Sequence, residues 1–201
     1  MNRLIVVEGP QGTGKTTLAN YLRESIPGSN LYRLSGQKDK SVTGRDISIK
    51  MYDALLNYLK AMEDIPMDII FDRTFFTEEV YARLGYKDYD FTDVYESLLD
   101  RFIKLKYEKY FINLYLEDTD KFIERLKREK HLYQAFSVKS SVDQQKVYKS
   151  IADDLENKGV NTYNLAMDDF DEAYCKVNKI LKINYDYLSL FYYKEGSCLY
   201  K

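Results

Sequence analysis

The stretch Gly9-Pro10-Gln11-Gly12-Thr13-Gly14-Lys15-Thr16 decides how this chain is read. It has the form G-x-x-x-x-G-K-[ST]. Its glycines let the backbone curl so that consecutive N–H groups point at phosphate oxygens. The pattern assigns Gly9, Gln11, Gly12, Thr13, Gly14, Lys15, Thr16 and Thr17 to a bound ATP. Lys15 is expected at the β- and γ-phosphates, and the Thr16 hydroxyl on Mg²⁺. The flanks agree with this reading. Leu4 to Val7 is a continuous apolar run rich in β-branched residues, a buried parallel strand. Lys15 to Ser25 carries Leu18, Ala19 and Leu22 on one face, a helix that ends before Pro27 and Gly28. The positive end of that helix dipole adds to the phosphate site.

Outward from this unit, strands and helices alternate. Asn30 to Leu34 is a short second strand, and Ser35 to Arg45 a polar loop. Asp46 to Glu63 places Met51, Leu55, Leu59 and Met62 at helical spacing before Pro66 breaks the run. Met67 to Phe71 is a third strand, Thr77 to Leu84 a helix, and Asp93 to Lys106 another. Tyr110 to Leu116 is a fourth strand. Thr119 to Glu129 is a helix with an acidic start and a basic end, as the helix dipole prefers. His131 to Ser140 has no period and reads as a mobile loop. Ser141 with Gln144 fits a capping box for the next helix, which ends at Gly159. Val160 to Leu165 is a fifth strand and Phe170 to Leu181 a last helix. This alternation means α/β with a parallel sheet.

Composition narrows the field. The 201 residues hold 32 acidic and 30 basic side chains, for a formal charge of −2. A near-neutral chain is not a general nucleic-acid binder, whose affinity rests on phosphate neutralisation. One histidine cannot build a multi-histidine metal site. Cys175 and Cys198 are far apart, so neither a structural zinc site nor a disulfide framework is expected, and a reducing compartment follows. The apolar runs are too short for a membrane span or a signal peptide, which makes the expected location cytoplasmic. The 20 tyrosines fit a genome biased toward A and T codons.

A phosphate loop needs a second group to hold the metal, normally a carboxylate at the end of a neighbouring strand. Asp72 fits that place and Arg73 follows it directly. Here the chain resembles a family. Glu8-Gly9-Pro10-Gln11-Gly12-Thr13-Gly14-Lys15-Thr16-Thr17 resembles the opening of thymidylate kinases and related deoxynucleoside kinases. Asp72-Arg73 is similar to their Asp-Arg motif. Tyr81 matches a tyrosine that thymidylate kinases carry next to the bound base. The fourth strand, its acidic turn and Arg125-Leu126-Lys127-Arg128 resemble the strand leading into their arginine-bearing lid.

The resemblance implies an α/β fold of the P-loop NTPase type: a three-layer sandwich with a five-stranded, mainly parallel sheet and a helical lid. Residues 1–182 would form the kinase domain, with the lid near 125–140. The implied reaction moves the γ-phosphoryl of ATP, with Mg²⁺, to a deoxynucleoside monophosphate. Lys15 and Arg73 would act on the phosphates. Arg125 and Arg128, three apart on one helix face, would close over the transferring group. Thr16 and Asp72 would organise the metal. Glu8, Arg33, Tyr52, Arg73, Phe76 and Tyr81 are the expected contacts to substrate.

Two other readings stay open. A nucleoside 5′-hydroxyl is a poor nucleophile and benefits from a general base. Deoxynucleoside kinases supply a glutamate after the second strand, where this chain reads Arg33-Leu34-Ser35-Gly36-Gln37. The missing base and the arginines favour a monophosphate acceptor, whereas Glu8 and Asp39 keep the nucleoside open. The third reading is a nucleotide-binding switch without transfer. Residues 183–201 are dense in aromatics, which seldom stay in water as one patch. They are expected to pack back on the domain or to form a homodimer contact.

Overall fold

The computed structural model describes residues 1–128 and 138–183. The five strands are β1 (Arg3–Glu8), β2 (Asn30–Arg33), β3 (Ile69–Asp72), β4 (Glu108–Tyr115) and β5 (Asn161–Ala166). They form one sheet in the order β2-β3-β1-β4-β5. Every pairing is parallel, so the sheet is wholly rather than mainly parallel. The helices are α1 (Lys15–Ser25), α2 (Val42–Ala61), α3 (Phe75–Arg83), α4 (Thr92–Lys104), α5 (Asp120–Arg128), α6 (Val138–Asn157) and α7 (Phe170–Leu181).

Successive side chains of a strand point to opposite faces, and β1 shows what this does to the layers. Leu4 and Val6 pack with Ile69, Phe71 and Phe111 against buried residues of α2, α3, α4 and α6. Ile5 and Val7 pack with Ile70 and Ile112 against α1 and α7, with Phe122 of α5. Both faces of the sheet are therefore covered. That explains why β1 reads as an unbroken apolar run rather than an alternating one.

The chain passes from β1 through β2 to β3 on one side of the sheet, then to β4 and β5 on the other. Ligand crevices in such sheets open where the strand order reverses, at the carboxyl ends of the strands. The phosphate loop after β1 and Asp72-Arg73 after β3 both lie at that edge. The register confirms it, since Val7 pairs with Asp72.

Several local expectations are corrected. Helix α6 begins at Val138, so Val138 to Ser140 are helical rather than part of a loop. Ser141 then lies inside the helix, and its hydroxyl has no hydrogen-bond partner. It cannot cap, because a capping residue must sit outside the first turn with non-helical backbone. The other loop residues, 131–137, lie outside the described residues, as does the aromatic tail from Asn184 onward. Cys175 on α7 is disulfide-bonded, against the expectation from spacing. Pairing depends on approach in space, not on separation along the chain. The argument for a reducing compartment falls with it. Among the described residues no helix is long and apolar enough to cross a membrane.

Candidate active site

The loop after β1 bends because its glycines allow it. Gly9 has φ 142°, and a Cβ there would stand 2.4 Å from the Leu114 carbonyl oxygen. Gly14 has φ 89° and precedes the first residue of α1 in the left-handed region. The Thr13 hydroxyl donates to the Pro10 carbonyl at 2.8 Å. Lys15 is buried and its Nζ donates to the same carbonyl. The loop thus holds its own lysine inside its curve.

A cleft of about 780 Å³ opens from this loop. Gln11, Gly12, Gly14, Lys15, Thr16 and Thr17 line it from this loop and the start of α1, and Arg33, Asp72, Arg73 and Tyr81 line it from β2, β3, the residue after β3, and α3. The Thr16 hydroxyl donates to Asp72 Oδ2 at 2.6 Å. This is the pair expected at Mg²⁺: a hydroxyl and a carboxylate, both hard oxygen donors, converging beside the phosphate loop. Such a donor set fits Mg²⁺, which takes one or two protein oxygens and completes its shell with water and phosphate. Arg33 Nε lies 3.9 Å from Asp72 Oδ2, and Arg33 also donates to Asn20.

Arg73 adopts φ 74°, a conformation uncommon for a residue with a side chain. The surroundings impose it. The Arg73 N–H donates to the Val7 carbonyl at 3.2 Å, and the next N–H, of Thr74, donates to Glu8 Oε1 at 2.6 Å. Burial raises the pKa of the Tyr81 hydroxyl, and the Arg73 guanidinium lowers it by less. Backbone strain of this kind survives where the neighbourhood over-determines it, and it clusters at functional sites.

Glu8 lies under the cleft floor, not in its lining. It is fully buried and also accepts the Thr77 hydroxyl at 2.7 Å. Burial pushes its carboxyl up from 4.5 to about 7, against the opposing pull of Thr77, Thr74, Arg73 and Lys15. A carboxyl raised in the folded state contributes stability below its unfolded value, and loses it as pH rises through the folded value. The shift is equivalent to about 3 kcal/mol. Glu8→Gln, which cannot ionise, is therefore expected to gain about 3 kcal/mol on the wild type between pH 4.5 and pH 8. Urea unfolding of both proteins across that range checks it, and a constant difference would contradict the buried ionisation.

Other expected contacts lie elsewhere. Tyr52 and Phe76 are fully buried in the core beside Phe75, and neither lines the cleft. The Tyr52 hydroxyl reaches the Thr74 carbonyl at 3.4 Å. Arg125 donates to the Met167 carbonyl at 2.7 Å and to the Gly12 carbonyl at 3.4 Å. Its guanidinium lies 5.0 Å from the Phe170 ring centroid. It braces the phosphate loop and is not among the cleft-lining residues. Arg128 is on α5, but its side chain lies outside the described residues.

The structure adds residues that the sequence did not single out. Lys38 and Lys40, from the segment after β2, line the cleft with Tyr86 and Lys87, from the turn after α3. The two first lysines were visible as charge in a polar loop. Lys87 follows no motif, and only the packing of its turn against residues 37–40 brings it to the cleft.

No protein-family model and no curated protein sequence matches the chain. Solved structures do. Deoxyadenosine kinase from M. mycoides, with dCMP and dCDP bound, is 18% identical with a TM-score of 0.60, covering 90% of this chain and 100% of that one. The YorR protein from Bacillus subtilis, in complex with phosphorylated GDP, is 19% identical with a TM-score of 0.62, covering 95% and 99%. Thymidylate kinase from Candida albicans is 16% identical with a TM-score of 0.62, covering 92% and 93%. At such identities the likeness is one of architecture, and the chain has the α/β P-loop fold of these proteins, two of which are a deoxyadenosine kinase and a thymidylate kinase.

Proposed function

We propose that this protein is an ATP-dependent kinase that transfers the γ-phosphoryl of ATP to a deoxynucleoside monophosphate, giving ADP and the diphosphate. The observation that carries the acceptor choice is the charge of the cleft. Besides Lys87, which Glu78 pairs, its described lining holds Lys15, Arg33, Lys38, Lys40 and Arg73 with one carboxylate, Asp72. That excess of basic side chains suits a second anionic substrate beside ATP. A neutral nucleoside would bring no charge to meet it, and Glu8, a nearby carboxyl with a raised pKa, is buried away from the cleft.

Each side chain then has a role. The loop N–H groups and Lys15 hold the donor phosphates and stabilise charge on the leaving β-phosphate. Thr16 and Asp72 would hold Mg²⁺, which supplies charge neutralisation across the β- and γ-phosphates when bound. Arg73 lines the cleft with its N–H held by the Val7 carbonyl, and would stabilise charge on the moving group. Arg33, Lys38 and Lys40 would hold the acceptor phosphate, which already carries its own nucleophilic oxygen and requires no base. ATP as donor makes the cytoplasm the working compartment.

One assay tests this. The protein is incubated with ATP, Mg²⁺ and a panel of deoxynucleosides and their monophosphates, and ADP formation is followed. Turnover with monophosphates is the expected result. Turnover with nucleosides alone would make it a deoxynucleoside kinase, and binding without turnover would make it a nucleotide-dependent switch.

A further inference from the structure

Residues 34–41 join β2 to α2 without regular secondary structure, yet Gly36, Gln37, Lys38 and Lys40 wall the acceptor half of the cleft. An irregular segment has no ladder of its own backbone bonds, so its position depends on bonds supplied from outside. The turn after α3 supplies two of them. The Asp88 N–H donates to the Lys40 carbonyl at 2.9 Å, and Lys87 Nζ donates to the Gln37 carbonyl. The start of α2 meets the segment from the other side. A Cβ on Gly44 would stand 2.1 Å from the Asp39 carbonyl oxygen, so backbone packs directly on backbone there.

Lys87 is itself firmly held. Its side chain is 3% exposed, and Nζ lies 2.7 Å from Oε1 of Glu78, whose side chain is wholly buried. The Tyr89 hydroxyl donates to that same oxygen, and the Tyr89 ring centroid lies 5.6 Å from the Lys87 ammonium. Glu78 belongs to α3, the helix that starts directly after Arg73 and Thr74. Its second oxygen faces the segment as well, since a Cβ on Gly36 would stand 3.2 Å from Oε2. A continuous line of contact thus runs from α3 through Glu78 and Lys87 to Gln37. Buried ion pairs rarely add net stability, because desolvation offsets the attraction, and positional control is the better account of one.

We propose that Lys87, anchored by Glu78, is the positioning residue of the acceptor site. It pins residues 35–40 so that Lys38 and Lys40 face into the cleft at the distance set by α3, the same helix that follows Arg73. The ammonium is directed to Glu78 and the Gln37 carbonyl, so Lys87 acts through the segment rather than as a ligand of the acceptor. This inference rests on the assignment of that half of the cleft to the acceptor, and the test separates the two.

The first arm needs no activity. Hydrogen exchange is measured on the nucleotide-free wild type and on Lys87→Met. The Asp88 amide, which donates to the Lys40 carbonyl, is expected to exchange about tenfold faster or more in the variant, with β1 and α1 unchanged. The second arm is kinetic. The acceptor KM is expected to rise about tenfold or more, while the KM for ATP stays within about twofold and kcat falls less than the acceptor KM rises. Lys87→Met strands a buried carboxylate and lowers stability, so the double variant Lys87→Met with Glu78→Gln is included. It is expected to recover the melting temperature without recovering the acceptor KM. Unchanged exchange of the Asp88 amide, or a double variant that recovers stability and KM together, overturns the proposal. A wild type that transfers to no acceptor removes the kinase reading instead, and the exchange arm still decides whether Lys87 pins the segment.

Discussion

Lys15→Ala is expected to lower ADP formation by about 10³-fold or more while leaving the fold intact. The size follows from where the charge sits. Lys15 is 5% exposed, inside the curve of the glycine-rich loop. In such a dry, concave site one preorganised charge stabilises the developing negative charge far more than it would in water. No other residue of the loop carries a positive charge, so nothing there replaces it. The fold is expected to survive because the loop is held by other bonds. Thr13 still caps the Pro10 carbonyl, and the Leu18 N–H still donates to Gly14 at 3.0 Å. Coupled ADP assays with matched circular dichroism and thermal melts check both halves. A folded variant with near wild-type turnover would refute the phosphate-loop assignment.

Asp72→Asn is the second large effect. The substitution keeps the shape of the side chain and an oxygen for the Thr16 hydroxyl, but removes the negative charge beside it. Mg²⁺ is a hard ion that favours anionic oxygen, so the Mg²⁺ concentration for half-maximal rate should rise. At saturating Mg²⁺ the rate should remain about 10²-fold below wild type, a loss of several kcal/mol of charge stabilisation. The half-exposed Arg33 guanidinium also loses its carboxylate partner, 3.9 Å away, which costs little stability. Titration of the rate with Mg²⁺ and then Mn²⁺ is the measurement. An unchanged metal requirement would remove Asp72 from the metal site and leave it a structural acceptor for Thr16.

Much of the fold was legible because it is written in local chemistry. The predicted bounds of α1 and α7 match the structure, since Pro27 and Gly28 end one helix and Asp169 caps the other through the N–H groups of Asp171 and Glu172. β1 and β3 were visible as short apolar runs, and β2, β4 and β5 as short strands between turn or helical segments. The capping box at Ser141 failed for a local reason. A Ser-x-x-Gln pattern has the same composition inside a helix as at its start, and only the backbone of the preceding turn separates the two. Cys175 failed for a longer-range one, since chain spacing carries no information about approach in space.

The candidate site divides in the same way. The sequence by itself determined the phosphate loop, because bending a backbone around phosphates requires glycines, a lysine and a hydroxyl at set spacings. It also marked Asp72-Arg73, because a polar pair after an apolar strand must fall at the strand's carboxyl end. Tertiary structure alone decided the rest of the cleft. Tyr52 and Phe76 have the composition of a base pocket, yet packing from α3 and α4 seals them in the core. Lys87 has no motif, yet its turn folds over residues 37–40 and delivers it to the cleft wall. The physical reason is range: phosphate recognition is made by consecutive backbone groups, whereas a pocket for a second substrate is made where distant segments happen to pack.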